Sequence, residues 1–194
     1  MESATDAVWE WFSATLAWSM FTLPHQGILI LSTDCGYVQF ARYPSNLHCE
    51  VSSNQMLGVQ RISVDGEARL AADGWAVPGV DDNWVREIRS PGEYSEYEHT
   101  AACIVSALRD VLELPLPFEL ETKGWITDQW DTTDPEYRYV IRGVGLLDGY
   151  RPIDRSAPAL LQFAEAQWAA LAESKHPGPQ WRIAEGGWQS RIFP

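Results

Sequence analysis

The sequence predicts an α+β fold, an antiparallel sheet (a three-stranded meander plus later strands) covered by helices on one face and followed by a C-terminal α/β extension. Three observations carry that expectation. Gly27–Gly58 holds three β-type runs, Gly27–Thr33, Tyr37–Tyr43 and Leu47–Ser53, separated by the turn formers Asp34-Cys35-Gly36 and Pro44-Ser45-Asn46. Apolar residues recur at helical spacing before the meander and again over 95–113. The 194 residues suffice to bury about 70 % of the unfolded surface without staples.

Residues Thr5–Phe21 read as the first helix, with Ser3 and Thr5 as N-cap candidates and Asp6 and Glu10 near its positive end. Trp9, Phe12, Leu16 and Met20 form its core stripe, and Trp11 and Trp18 fall together as a second aromatic ridge, read as a wider core stripe or as a partner or dimer face. In the meander, a turn centred on Pro44-Ser45 sets Phe40 opposite Cys49 and Val38 opposite Val51. Strict alternation then assigns Val38, Phe40, Leu47, Cys49 and Val51 to the core face. Tyr37, Gln39, Tyr43, His48, Glu50 and Ser52 fall on the other face, expected to be accessible or covered only by the C-terminal part.

Ser63 is the cap of a short helix with the stripe Val64, Ala68, Ala71 and Trp75, closed by Gly74. Trp84–Arg89 alternates as a strand with Trp84, Arg86 and Ile88 on one face. Ser95–Glu113 is an amphipathic helix with Tyr97, Ala101, Ile104, Val105, Leu108, Val111 and Leu112 on one stripe, stopped by Leu114-Pro115-Leu116-Pro117. Further on, Phe118–Ile126 and Tyr137–Val144 read as strands. Ser156 opens a helix with the stripe Leu161, Ala164, Trp168 and Leu171, and the tail 180–194 is too apolar to trail in solvent.

The residues exclude more chemistry than they suggest. A net charge of -13 argues against nucleic acid and anionic membrane surfaces. Apolar runs such as Ile28–Leu31 are far short of a span, and a soluble cytoplasmic protein is the expectation. Cys35, Cys49 and Cys103 lack CxxC spacing and read as free thiols, and His25, His48, His99 and His176 lack metal-ligand spacing. His48 and Cys49, as strand neighbours, point to opposite faces, which argues against a thiol–imidazole pair. No phosphate-cradling loop, nucleophile elbow or cofactor fingerprint occurs, so no catalytic residue, metal or cofactor is assigned. Ten tryptophans are more than a core of this size is expected to absorb, so some are expected at a groove. The acidic loop Trp125–Glu136 offers a carbohydrate-binding or hydrolytic alternative, with solvated turn as the ordinary reading.

The element order α-β-β-β-α-β-α carries Tyr37-Val38-Gln39-Phe40-Ala41 in the second strand and Glu50 and Ser53-Asn54-Gln55 after the third. Gly74-Trp75 with Pro78 comes next, and the whole resembles the TY-Chap family over roughly Trp9 to Leu114. These are YbjN-like domains, similar also to the CesT-type chaperones of type III secretion. The resemblance implies a chaperone-like domain over 1–116 and a non-enzymatic module that binds a peptide or protein client, with a homodimer suggested by the CesT-type relatives; the apolar tail and the Leu161, Trp168 and Leu171 stripe predict that 117–194 packs on that domain. Alternation then nominates Tyr37, Gln39, Tyr43, His48 and Glu50 as client contacts on the sheet and Trp11 and Trp18 on the helix. An immunity-like or regulatory partner of one folded protein is the other alternative.

Overall fold

The computed structural model describes residues 3–23, 25–59, 61–127, 138–141, 156–173, 180–184 and 187–191. The first helix, α1 (Ala4–Thr22), opens on a capping box in which the Ser3 hydroxyl accepts from the Asp6 N–H and the Asp6 carboxylate accepts from Ser3 N–H. Its buried hydroxyls are satisfied locally, Thr15 donating to the Trp11 carbonyl and Ser19 to the Thr15 carbonyl. At the other end Arg42 donates to the carbonyls of Phe21 and Leu23, which a helix leaves without partners of its own.

Strands β1 (Gly27–Thr33), β2 (Gly36–Arg42) and β3 (Asn46–Val51) form the meander with the expected register, Phe40 opposite Cys49 and Val38 opposite Val51. Ser53, Asn54 and Gln55 then pin the following loops. Ser53 caps the short helix α2 (Asn54–Leu57) and donates to the Asp82 carbonyl. The Asn54 carboxamide accepts from the Arg61 and Ile62 N–H groups, and Gln55 accepts from Asp81 N–H. Ser63 caps α3 (Val64–Ala72) as expected, but the inward face is different. Gly66 and Leu70 are buried, whereas Val64, Ala68 and Ala71 are exposed and only Trp75 of the expected stripe is inside. A Cβ on Gly66 would lie 3.1 Å from Val111, so close approach of two helices, not apolar periodicity, chose that face.

Strand β4 (Trp84–Arg89) pairs with β3, and α4 (Tyr94–Ser106) continues through a wider turn at Ala107–Val111 with its expected residues inside, Val105 partly so. After a single turn at Pro117–Glu119 come β5 (Glu121–Thr127) and β6 (Arg138–Ile141), then α5 (Ala157–Glu173) and the hairpin β7 (Gln180–Ala184) and β8 (Gly187–Arg191). The main sheet has six strands in the order β4-β3-β2-β1-β5-β6, all antiparallel. The sheet runs on past residue 116, because β5 pairs with β1 along Gly27–Ser32.

One core joins α1, α4 and the inner sheet face, with Val38, Phe40, Leu47, Cys49 and Val51 all at 0 % exposure. A second helical layer closes over α1, where Leu160 and Phe163 of α5 point inward and Leu161 outward. That corrects the expected start of the α5 stripe; the side chains of Ala164, Trp168 and Leu171 lie outside the described residues. No helix among the described residues is long and apolar enough to cross a membrane.

Candidate functional site

The outer face of the sheet carries a connected polar network. His48 of β3 faces two carboxylates, Nε2 lying 2.9 Å from Glu50 Oε1 and Nδ1 lying 3.0 Å from Glu87 Oε1 on β4. An ionised carboxylate only accepts, so both contacts are made in full when both ring nitrogens carry a proton, and the pair of carboxylates favours the imidazolium form. Glu50 uses its other oxygen to accept from Asn83 Nδ2 at 2.7 Å, and Asn83 also donates to the Tyr37 hydroxyl at 2.9 Å. Tyr43 lays its ring edge-on to His48. Gln39 sits between Ile30 and Glu50 in register. The five sheet residues singled out by alternation are thus neighbours on one half-buried face, and Ser52 is the exception, fully buried under the Tyr37 N–H that it accepts.

The helical pair is not part of this face. Trp11 is 2 % exposed and packs on Phe118 and Phe163, at 6.4 and 5.3 Å between ring centroids, while half-buried Trp18 packs on Phe21 and Tyr94. They do not form one ridge, because the chain beyond Pro117 covers the first and α4 flanks the second. Of the ten tryptophans, five have described side chains, and four of these, Trp9, Trp11, Trp75 and Trp84, are core residues. The loop Trp125–Glu136 lies largely outside the described residues.

Sequence reasoning missed Glu87 and Asn83. Alternation did put Glu87 opposite Trp84, Arg86 and Ile88, but only the β3–β4 register, His48 opposite Glu87, brings the carboxylate to the imidazole.

It also missed a cleft of about 780 Å³ along the edge of β4, lined by Asp73, Gly74, Arg86, Glu87, His99 and Cys103. Its origin is a turn in the chain. Ala76 exchanges both main-chain hydrogen bonds with Val85, at 2.7 and 3.4 Å, as the start of a strand outside β4. Gly74, at φ 85, turns the preceding chain away. By alternation, the main-chain groups of Glu87 and Arg89 point to the same side as those of Val85, and β4 is the end of the sheet. Cys103 in the cleft donates to the Asp73 carbonyl at 3.6 Å with His99 Nε2 at 3.9 Å, and burial pushes its thiol up, opposite to what nucleophilic use requires. Cys49 is likewise pushed far up by burial and faces away from His48.

The clamp makes stability depend on pH in both directions. Hydrogen bonding to Glu50, opposed by burial and reinforced by Glu87, holds His48 above its ordinary 6.5. The His48 bond holds Glu50 and Glu87 below their ordinary 4.5. A raised histidine stabilises below its unfolded pKa and loses that contribution as pH rises through its folded pKa. The lowered carboxylates stabilise above their unfolded pKa and lose it as pH falls through theirs. The contribution is therefore largest between about pH 5 and about pH 6.5 and declines on either side. Urea midpoints measured across that range should show this maximum in the natural chain and its loss in His48→Gln, with the two curves converging in alkali.

Comparison with known proteins gives one match. No curated protein and no solved structure matches the chain significantly. A family model described as "T3SS (YopN, CesT) and YbjN peptide-binding chaperone 3" matches residues 2–126, well over half of the chain, from α1 through β5. With its sheet-and-helix order and this coverage, the chain belongs to the TY-Chap3 family of peptide-binding chaperones.

Proposed function

We propose that the protein is a non-enzymatic, chaperone-like module that takes up an extended segment of a client protein. The segment adds its main chain to the edge of β4, and the client chain that continues from it crosses the outer face of the sheet over His48, Glu50, Tyr37, Gln39 and Tyr43. The observation that carries this reading is the strand position that no described residue fills beside Glu87, where Gly74 diverts the chain next to the single pair of bonds at Ala76. An exposed edge is a template for one more strand, and main-chain bonds supply affinity with little demand on client sequence. Three free cysteines suit a reducing, cytoplasmic setting, and a second copy of the chain is a further candidate partner.

The test is a peptide array in which each backbone amide is methylated in turn. Peptides methylated at the amides facing β4 should lose binding, and those methylated at the alternate positions should keep it, a period of two that side-chain recognition alone would not give. A scan without that period would refute strand addition. On the protein side, Tyr37→Ala with Tyr43→Ala should weaken binding while the core stripe stays intact. Anchor aromatics are worth roughly 1–4 kcal/mol each, or about five- to several-hundred-fold in affinity. Equal binding by both proteins on every peptide would remove the sheet face from the reading.

A further inference from the structure

We infer that the open strand position selects segments with a lysine or arginine opposite Glu87, a cation that takes the Glu87 carboxylate away from His48. This deepens the strand-addition reading and rests on it. Val85, Glu87 and Arg89 point their side chains to the outer face, while Arg86 and Ile88 point to the helix side. A segment that continues the antiparallel pairing begun by Ala76 therefore sets one residue directly opposite Glu87 on the outer face, where Cβ atoms are about 5 Å apart. Its neighbour opposite Ile88 turns toward the helix side, while the position opposite Arg86 is held by the chain's own Asp73–Trp75, whose Asp73 carbonyl accepts from Arg86.

Charge decides which side chain fits on the outer face. Glu50 is committed to His48 and Asn83, and its side chain is 21 % exposed; Glu87, held by His48 and Asn46, is 57 % exposed, so its carboxylate is the one a newcomer can reach. His48 already occupies the cationic place between them. Among the described residues, the other charged or titratable groups nearby are Tyr43, raised by burial and by these carboxylates, Tyr37, which shares Asn83 with Glu50, and Arg89, two residues along β4. Arg89 disfavours a second cation at its own position and so fixes the register on Glu87. The net charge of -13 draws cationic segments toward the chain.

Displacement has a signature that affinity alone lacks. Losing Glu87 and gaining a neighbouring cation both remove support for the protonated ring, so His48 gives up part of its proton when the segment binds.

The experiment uses blocked peptides Thr-Val-X, whose residues take the positions opposite Arg89, Ile88 and Glu87, with X arginine, norleucine or glutamate, titrated calorimetrically near pH 7 in buffers of different ionisation heat. Arginine should bind about fivefold more tightly than norleucine, the upper end for an exposed ion pair, and glutamate more weakly than either. Only the arginine peptide should release protons. Glu87→Gln should erase the preference for arginine. His48→Gln should enlarge it, by removing the competitor, and abolish the proton release. Equal binding of arginine and norleucine by the natural chain, or a preference that survives Glu87→Gln, would overturn the inference while leaving strand addition standing. No binding of any of the three, with no period in the methylation scan, would overturn both.

Discussion

Ending the chain at Leu116 is expected to leave no stably folded monomer. The cut removes β5, which pairs with β1 from Gly27–Ile126 to Ser32–Glu121, together with Phe118 and Leu120 at 0 and 1 % exposure. It also removes Phe163 and Phe118 from over Trp11. Deleting a buried phenylalanine costs about 3–5 kcal/mol and a buried leucine about 2–5, which together rival the roughly 5–15 kcal/mol that holds a domain folded. The cut also frees β1 as a new edge, a template for aggregation. Circular dichroism with size-exclusion chromatography checks this: the shortened chain should lose cooperative urea unfolding or elute as aggregates. An end after Thr127 keeps β5 and should be distinctly milder. If the chain ending at Leu116 unfolded at the same urea midpoint as the whole, the pairing of β1 with β5 would contribute nothing and residues beyond 116 would be a separate unit.

Trp11→Ala should destabilise the whole chain by about 3–5 kcal/mol, far more than a surface aromatic would. The indole is 2 % exposed between α1 and the two phenylalanines, so its removal leaves a cavity that Phe118 and Phe163 can fill only by moving α5 or the turn at Pro117–Glu119. The check is equilibrium urea unfolding, in which the midpoint should fall with little change in slope. Binding by the surviving folded fraction should match that of the natural chain, because Trp11 lies away from the β4 edge. A Trp11→Ala protein of natural stability but weakened binding would return Trp11 to the client surface and undo the assignment made from its burial.

Much of the fold was legible because local chemistry and tertiary structure agree. The meander's turn residues and period-two alternation gave both its register and its buried face, and the two long helices announced themselves by caps, prolines and apolar spacing. The short helix α3 was located by Ser63 and Gly74 but turned the wrong way. Its inner face is defined by the absence of a side chain at Gly66, which no hydrophobic pattern records.

The sequence by itself determined which residues of β2 and β3 share a face, since covalent geometry makes neighbours on a strand alternate whatever surrounds them. It thereby put Tyr37, Gln39, His48 and Glu50 together before any packing was known. Only the tertiary structure decided what that face contains. Glu87 reaches His48 across a strand pair separated by 39 positions, and Asn83 joins Glu50 to Tyr37 from a loop held by Ser53. The same holds for the β4 edge, where Gly74 turns the chain so that no described residue covers Glu87, and for Trp11, whose neighbours come from more than a hundred residues away. Contacts of that range depend on how whole elements dock, and a local pattern carries the face an element offers but not the partner that arrives to meet it.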